Sequence, residues 1–467
     1  MLMPMPTQTS RFIYQVSKER GIWVRQVSSF IIAPSSFGPS IYYVEQPLNS
    51  YTAGQLEALC LRWMKAAKAW RKKTSSIPRE ISLKVNEGPM GQDPYCLRLA
   101  PGGRWLLVFD QITGGIYYYD LDTQNPTSTR IPLIPPRYED GFEQFCISQV
   151  DTDTGAPSLT FRICVLYCLE FEATRWTAEI WNFKVVLDES GCGGTSLSAT
   201  LVASFFFMHM PEGFMSSPTL KGSSALFELT ESDMDEPRTA VIIVDWTEVV
   251  DGSYDFERRS LLTSEASLRF LVFRYLLASS HLLLVESSGN EFSAIDLRNF
   301  HTHRDNVGFS EFYSLHDYPS TILISAVSDC SLGSNHLHPS ISVNATTNIA
   351  RILTLSDDGQ IVAVEFSLER TNDHHSARVH VVDFEDSELI HHADLIGSEH
   401  TFTACGTHIH LTTVIWPEDP MAPPARIAVQ RPVARPYATP LTMDEGTGRI
   451  LLYYSSDGSV SVMEISA

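Results

Sequence analysis

The sequence predicts a mainly β protein, a β-propeller of about seven blades preceded by a small N-terminal helical segment. Three observations support this fold class. A strand–turn–strand pattern recurs along the chain, one strand type repeats with an acidic or amide residue near its end, and helical periodicity is confined to the first 75 of 467 residues. Recurrence at intervals of tens of residues is typical of radial or stacked repeats.

The strand–turn–strand pattern is clearest at the C-terminus. Residues 449–454 read RILLYY, the turn 455–458 reads SSDG, and residues 459–465 read SVSVMEI. An apolar strand, an Asp-Gly turn and an alternating strand together indicate a β-hairpin. Similar patterns occur upstream, at residues 104–121, 281–297 and 351–365.

The second observation is a strand type that ends near an acid or an amide. Its instances are Tyr119-Asp120-Leu121, Trp181-Asn182-Phe183, Val244-Asp245-Trp246, Ile295-Asp296-Leu297, Val382-Asp383-Phe384 and Met463-Glu464-Ile465, with Arg426–Gln430 as a seventh that lacks the acid. Seven such strands predict about seven four-stranded sheets, within the four to eight blades that are typical of a propeller. We interpret the Gly-rich stretch 188–199 as a connection between two blades.

A ring of sheets also solves the problem of exposed sheet edges, because radial repetition leaves only short edges. We expect the strand at residues 459–465 to take part in closing this ring. Two competing architectures are a pair of β-sandwiches and a β-helix. A sandwich needs about 100 residues per unit, and a β-helix has far shorter and stricter repeats, so the propeller fits the pattern best.

Helical periodicity is clearest just before the strands. Thr52-Ala-Gly-Gln55 has the form of a capping box, in which two side chains bond free backbone N–H groups of the first turn. An apolar stripe follows, and the opposite face is basic, which we interpret as a solvated face. The stripe consists of Leu56, Leu59, Trp63, Ala67 and Trp70. The predicted domains are therefore a helical segment, 1–75, and a propeller, 76–467.

Charge and composition exclude several classes of function. The formal charge is −21, and residues 1–75 carry ten basic and three acidic residues, which leaves 24 basic and 52 acidic residues for the rest. An acidic body repels phosphate backbones, so we expect no nucleic-acid binding. The longest apolar stretch, near 201–210, is too short to span a bilayer. Eight scattered cysteines without a CxxC pair, and no signal peptide, predict a cytoplasmic or nuclear protein with reduced thiols.

No motif in the sequence indicates catalysis. The Gly191–Gly194 loop lacks the Lys-Ser/Thr of a phosphate-binding loop, and neither a GxSxG nor an HExxH pattern occurs. The histidines fall in tight groups that we interpret as solvated. These groups are His301/His303, His336/His338, His374/His375/His380, His391/His392 and His408/His410. We therefore predict that the chain is not an enzyme and that it holds neither a cofactor nor a metal.

The N-terminal segment with helical periodicity and the strand repeats together resemble F-box proteins of mushroom-forming fungi. In these proteins an F-box and a helical spacer precede a degenerate WD-repeat-like propeller. Residues 12–20 (FIYQVSKER), followed by Trp23, are similar to the end of an F-box. Residues 55–70 resemble the spacer helix, and residues 97–107 resemble the entry to the first blade. The Leu-Pro-x-Glu-like turn that opens an F-box does not occur before Ser10, so we expect the N-terminal part of the F-box to be missing.

The resemblance implies a non-catalytic protein-recognition module. A face of the propeller would bind a target protein or peptide for a cullin-type ubiquitin ligase, and Phe12, Tyr14 and Trp23 would lie on the side of the cullin adaptor subunit. We also expect Trp23 and Trp70 to pack the helical segment against its neighbours. Two alternatives stay open: a propeller scaffold without ubiquitin-ligase docking, and a propeller hydrolase or lyase with acidic or His side chains at the central channel.

Overall fold

The structure is a computed structural model that describes parts of the chain between Glu19 and Ile465. The described residues are 19–32, 41–72, 77–83, 96–123, 130–137, 142–169, 175–188, 194–208, 213–215, 218–231, 238–253, 256–263, 271–277, 281–286, 291–296, 302–303, 322–325, 340–344, 349–355, 361–367, 378–382, 395–396, 399–405, 407–417 and 424–465.

Two α-helices precede the strands in the described part of the chain. Helix α1 spans Arg20–Ile32 and helix α2 spans Ala53–Arg71, with a 3₁₀ turn at Leu48–Ser50 between them. The predicted capping box is confirmed, because Gln55 N donates to Thr52 Oγ1 at 3.3 Å and Thr52 N donates to Gln55 Oε1 at 2.8 Å. This reciprocal pair satisfies two N–H groups that have no partner within the helix, and it fixes the start of α2.

The strands of the first half of the chain build three antiparallel sheets and supply one strand to a fourth. They are β1 (Arg79–Leu83), β2 (Leu97–Leu99), β3 (Trp105–Phe109), β4 (Ile116–Asp120), β5 (Ile131–Ile134), β6 (Phe142–Ile147), β7 (Asp151–Thr152), β8 (Thr160–Leu169), β9 (Arg175–Leu187), β10 (Gly194–Met208), β11 (Gly213–Met215), β12 (Thr219–Lys221), β13 (Ser224–Glu231), β14 (Arg238–Asp245) and β15 (Arg258–Thr263). Sheet 1 contains β2–β5, sheet 2 contains β6–β10, and sheet 3 contains β11–β15.

The strands of the second half build four more sheets. They are β16 (Leu271–Leu277), β17 (His281–Glu286), β18 (Glu291–Asp296), β19 (Thr302–His303), β20 (Ile322–Ser325), β21 (Ser340–Asn344), β22 (Ile349–Leu355), β23 (Ile361–Ser367), β24 (Arg378–Val382), β25 (Leu395–Ile396), β26 (His400–Cys405), β27 (His408–Ile415), β28 (Ala425–Pro432), β29 (Thr439–Asp444), β30 (Arg449–Tyr454) and β31 (Ser459–Glu464). Sheet 4 contains β16–β18 and β20, sheet 5 contains β21–β24, sheet 6 contains β25–β28, and sheet 7 contains β29–β31 with β1, while β19 adds to the edge of sheet 3.

Sheet 7 joins the two ends of the described chain. Strand β1 pairs antiparallel with β31, so that Ile81 lies opposite Val462. The Glu80 carboxylate strengthens this contact by accepting from the Tyr454 hydroxyl at 2.8 Å and from Ser461 Oγ at 2.6 Å. The terminal hairpin is thus part of the closing sheet, as the sequence predicts. The chain is a β-propeller, and the seven sheets of the described residues are compatible with seven blades.

Neighbouring sheets pack face to face in ring order. Separate apolar clusters join sheets 7 and 1, sheets 1 and 2, sheets 2 and 3, and sheets 6 and 7. Strand β3 shows the consequence for sequence, because all five residues of Trp105–Phe109 are buried. Trp105 and Leu107 pack toward sheet 2, whereas Leu106 and Val108 pack toward sheet 7. A strand that is buried on both faces has a continuous apolar run instead of an alternating one.

The recurring acid-ending strand marks the third position in five sheets. It coincides with β4, β9, β14, β18 and β31, each the third strand of its sheet. In sheets 5 and 6 the pattern falls on the fourth strand instead. Val382 ends β24 and Arg426–Gln430 lies in β28, and both strands are fourth in their sheets. A third strand and a fourth strand can both have an apolar sequence that ends in an acid, so this pattern alone does not distinguish them.

A cross-strand ion pair joins the second and third strands in three of the sheets. Arg449 lies opposite Glu464 in sheet 7, and its guanidinium nitrogen is 2.5 Å from the Glu464 carboxylate. Sheet 5 has the same arrangement between Arg351 and Glu365 at 2.6 Å, and sheet 1 has Arg104 Nη2 2.7 Å from Asp120. Directly opposite charges stabilise an antiparallel strand pair. The second and third strands of these sheets are therefore held at one end by the same chemistry.

The interpretation of residues 188–199 as a connection between blades is wrong. Strand β9 ends at Leu187, β10 begins at Gly194, and the two strands pair within sheet 2. The stretch therefore belongs to a hairpin whose second strand is 15 residues long. The cluster of glycines indicates a turn but does not say whether that turn lies within a sheet or between two sheets.

Candidate functional site

The two ends of the sheets are distinct surfaces. We call the end where the second strand turns into the third the upper end, and the end where the first strand turns into the second the lower end. In sheet 7 the upper turn is 455–458 and the lower turn is 445–448. Because neighbouring strands are antiparallel, the segments that lead from one sheet to the next lie at the upper end too.

The lower end carries the segment that precedes α2. Glu45 Oε2 accepts from Arg104 at 2.8 Å, and Glu45 Oε1 accepts from Trp105 Nε1 at 2.9 Å. The Glu45 backbone carbonyl accepts from Leu159 N at 3.1 Å, which extends the contact from sheet 1 to sheet 2. Burial raises the pKa of Glu45, and the neighbouring Arg104 opposes this shift. The segment is thus fixed to the ring by a half-buried ion pair.

Helix α2 is fixed to the same end. Arg62 lies 2.9 Å from Asp122, which also pairs with Arg449 of sheet 7 at 2.7 Å. At the other end of the helix, Trp70 is fully buried, and its indole N–H donates to the carbonyl of Glu445 at 3.0 Å. These contacts span sheets 7 and 1. Helix α2 is therefore seated on the ring and cannot move without breaking them.

The sequence-predicted site residues lie in or before α1. Phe12 and Tyr14 are outside the described residues. Trp23 is half-buried and packs against a small core between α1 and α2, which contains Val27, Leu56, Cys60 and Trp63. Trp23 and Trp70 thus both pack the helical segment, as expected. The adaptor-side role of Phe12, Tyr14 and Trp23 stays a prediction.

A cleft opens at the upper end between sheets 6 and 7. It encloses about 220 Å³, including the solvent at its mouth. Its floor is apolar, and its rim carries one histidine, one arginine and one tyrosine. The lining residues are Phe402, Ala404, His408, Ile409, Val433, Arg435, Tyr437, Ala438, Leu452 and Met463.

Tyr437 is the most exposed large side chain at this cleft, with 79% of its surface accessible. Its φ is +60°, and it is the one non-glycine residue with a positive φ among the described residues. A bulky residue is costly in this left-handed conformation, and such strain persists only where the surroundings impose it. An exposed aromatic side chain held in this way points to a role outside folding.

The surroundings that impose the conformation are visible. Arg435 donates to Asp457 at 2.7 Å and to Ser459 Oγ at 3.0 Å, and its guanidinium stacks 3.8 Å from the centre of the Tyr454 ring. Val433 N donates to the carbonyl of Thr407 at 3.0 Å. The connection between β28 and β29 is thus anchored on both sides, and Tyr437 is presented from a rigid support.

The size and lining of the cleft limit what it can bind. Small-molecule sites usually enclose at least about 300 Å³, whereas the 220 Å³ of this cleft includes open solvent, so the cleft does not enclose a small molecule. His408 stands at the rim, 3.0 Å from Thr407 Oγ1. His410, two residues along β27, has its pKa lowered by burial and by His408. No group of metal-binding side chains occurs within the described residues.

The sequence gives no signal for this cleft. Tyr437 lies in an irregular connection, ARPYAT, that resembles no motif. The contacts that force its left-handed backbone come from residues 20 to 30 positions away in the chain, which no local pattern records. Arg435 and Tyr437 flank Pro436 in this connection, and neither residue type by itself predicts a cleft.

Comparisons with known proteins assign this chain to no family. No family model and no curated protein matches the chain. Among solved structures, Chaetomium thermophilum Sqt1 bound to the N-terminus of ribosomal protein L10 is 12% identical, with 79% of this chain and 83% of that chain covered and a TM-score of 0.35. Citrobacter koseri AztD is 10% identical, with coverages of 85% and 91% and a TM-score of 0.34.

A streptogramin B lyase structure is also similar, at 9% identity, coverages of 83% and 97%, and a TM-score of 0.36. The three proteins differ in function, and similarities at this level carry no argument about what the present chain binds or catalyses. In the part of the chain that the structure describes, no helix has the length and apolar character needed to cross a membrane.

Proposed function

We propose that this chain is a non-catalytic protein-recognition propeller that binds an apolar side chain of a protein partner in the cleft between sheets 6 and 7. The observation that carries this proposal is Tyr437, which is 79% exposed yet held in a strained backbone at the rim of an apolar cleft. Tyr and Arg are enriched among the residues that dominate binding energy at protein interfaces. Arg435 and Tyr437 supply both types beside one apolar floor.

The rigidity of this site lowers the entropic cost of binding a partner. Arg435 is immobilised by Asp457, Ser459 and the Tyr454 ring, so little conformational entropy is lost when a ligand binds. The cleft is too small for a typical cofactor, because even its 220 Å³ includes open solvent. The ligand that we propose is a short peptide segment whose apolar residue packs on the Tyr437 side chain and the apolar floor of the cleft.

A random peptide library displayed on phage, selected against the intact chain, tests the proposal. We expect selected peptides to share a bulky apolar residue, and Tyr437→Asn to weaken their binding at least about tenfold. Asn tolerates a positive φ, so this variant removes the aromatic ring without adding backbone strain. Val250→Asn is the control, because Val250 is 73% exposed and lies in the connection between β14 and β15 of sheet 3. Selected peptides that bind Tyr437→Asn as well as the unaltered chain would overturn the proposal.

A finer proposal is that the chain is a substrate receptor of a cullin-type ubiquitin ligase. It is supported by the resemblance of residues 12–20, Trp23 and α2 to the end and spacer of an F-box. It is also supported by the seating of α2 on the ring, since a target at the upper end would then stand at a fixed distance from a ligase at the helical segment. Cytoplasmic or nuclear location and lack of catalytic activity belong to the same proposal.

Binding of a purified cullin adaptor subunit to this chain, and to a version extended upstream of Met1, tests the ligase role. Adaptor binding by either version would support it, and Trp23→Ala should then reduce the binding. Lack of binding by both versions would leave the alternative, a propeller scaffold that binds protein partners without ubiquitin-ligase docking. The peptide experiment on Tyr437 is independent of this result.

A further inference from the structure

The outward side of α2 carries a stripe that none of the interactions described above uses. Leu61, Lys65, Lys68 and Lys72 follow each other at spacings of four, three and four residues, so they line one side of the helical segment. All four are exposed, and Met64 lies beside them. Leu61 is 43% exposed and Met64 is 50% exposed. We call these five residues the Lys stripe.

The Lys stripe faces away from the ring because the opposite side of α2 is fixed. Trp63 and Trp70 are buried, and Ala66 is fully buried between them. Arg62, at the border of the two sides, is already paired with Asp122. By contrast, the ammonium groups of Lys65 and Lys68 have no ion-pair partner within the described residues. The Lys stripe therefore presents three lysine side chains and two large apolar side chains to the outside.

The sequence before α1 and after α2 adds positive charge. Residues 1–18 contain Arg11 and Lys18 and no acidic residue, and Lys72 and Lys73 follow α2. Residues 1–75 have seven more basic than acidic residues in a chain whose total charge is −21. A basic surface with large exposed apolar residues in an otherwise acidic protein marks an interaction site for a partner of opposite charge.

We propose that the Lys stripe binds an acidic segment of a partner protein that carries apolar residues among its acids. Carboxylates would pair with Lys65 and Lys68, and an apolar side chain would contact Leu61 and Met64. An anionic membrane fits less well for two reasons. The acidic ring would be repelled by an extended anionic surface, and two apolar side chains would insert only slightly into the bilayer. This site is separate from the cleft at Tyr437, and it does not depend on the proposed function.

Fluorescence anisotropy with a labelled peptide of four Glu-Glu-Leu repeats, titrated with the intact chain, tests the site. We expect saturable binding that Lys68→Glu weakens about fivefold, since charge reversal turns an attractive contact into a repulsive one. Lys184→Glu is the matched control, because it makes the same change of net charge at an exposed residue of sheet 2. Leu61→Ser should also weaken binding about fivefold, and this loss should persist at high salt, where the charge contribution is screened.

Each outcome decides the matter. Binding that falls with Lys68→Glu and Leu61→Ser but not with Lys184→Glu supports the site. Equal losses for Lys68→Glu and Lys184→Glu would show that net charge alone attracts the peptide, and would overturn the proposal. Lack of peptide binding would overturn it as well. So would a result in which the intact chain binds vesicles that contain phosphatidylserine but does not bind the peptide. Thermal unfolding of each variant shows that the fold is intact, because all three residues are exposed.

Discussion

Tyr437 shows at the scale of one residue how tertiary contacts impose a left-handed backbone conformation that is unfavourable for its residue type. Two residues that precede Tyr437 anchor this connection: Val433 bonds to sheet 6, and Arg435 bonds to sheet 7. The groups that they contact are distant in sequence. The φ of +60° at Tyr437 is thus a tertiary effect that no local pattern indicates.

Substitutions at Tyr437 should separate backbone strain from binding. We expect Tyr437→Asn to raise the free energy of unfolding by up to about 1 kcal/mol, because Asn tolerates a positive φ better than Tyr does, and Tyr437→Val to lower it by about 1–2 kcal/mol, because a β-branched residue tolerates it less well. Urea unfolding of the two variants measures the difference. Equal stability of both variants would mean that the backbone at this position is not held in the left-handed region.

Glu399 gives a pH dependence whose sign follows from its surroundings. Burial, reinforced by the carboxylate of Glu445, raises the pKa of Glu399 above its ordinary 4.5. The folded state then binds the proton more tightly than the unfolded chain does, so this residue lowers the free energy of unfolding as pH rises through the interval between 4.5 and the raised pKa.

We therefore expect Glu399→Gln to stabilise the protein more at about pH 7.5 than at about pH 5. Urea unfolding at both pH values checks this expectation. Glu248→Gln removes the same charge from an exposed position and is the control. A Glu399→Gln variant that is less stable than the unaltered protein at the higher pH would contradict the assignment.

Helix α2 shows at the scale of the element what sequence reasoning reaches. Its start was predictable because the capping box of Thr52 and Gln55 is local. Its buried side was predicted only approximately. Leu59 and Ala67 of the predicted stripe are half-buried, while Cys60 and Ala66 are buried instead. Periodicity locates the apolar side, but the sheets on which the helix packs decide which residues at its border are covered.

The two sides of α2 should differ sharply in their contribution to stability. We expect Trp70→Ala to lower the free energy of unfolding by about 3–5 kcal/mol, because a fully buried indole is lost between sheets 6 and 7. Met64→Ala, on the exposed side, should change it by less than about 0.5 kcal/mol. Chemical denaturation of the two variants is the measurement. A mild effect of Trp70→Ala would show that α2 is not seated on the ring.

At the scale of the whole molecule, the sequence predicted the hairpins but not the complete order of the strands. The pair β30 and β31 and the pair β3 and β4 were predictable, because a turn and two apolar runs are local signals. Strand β1 was not predicted, although it closes sheet 7. Its partner β31 lies almost at the other end of the chain, and no local pattern records a contact at that separation.

The central claim is that β1 closes the ring by pairing with β31. Hydrogen exchange of the intact protein, followed by mass spectrometry, tests it most directly. Because β1 is an outer strand, about half of its amides should bond to β31. We expect these amides, within Arg79–Leu83, to exchange as slowly as those of Ser459–Glu464. Exchange of every amide in Arg79–Leu83 at the rate of an unstructured peptide would contradict a ring closed in this way.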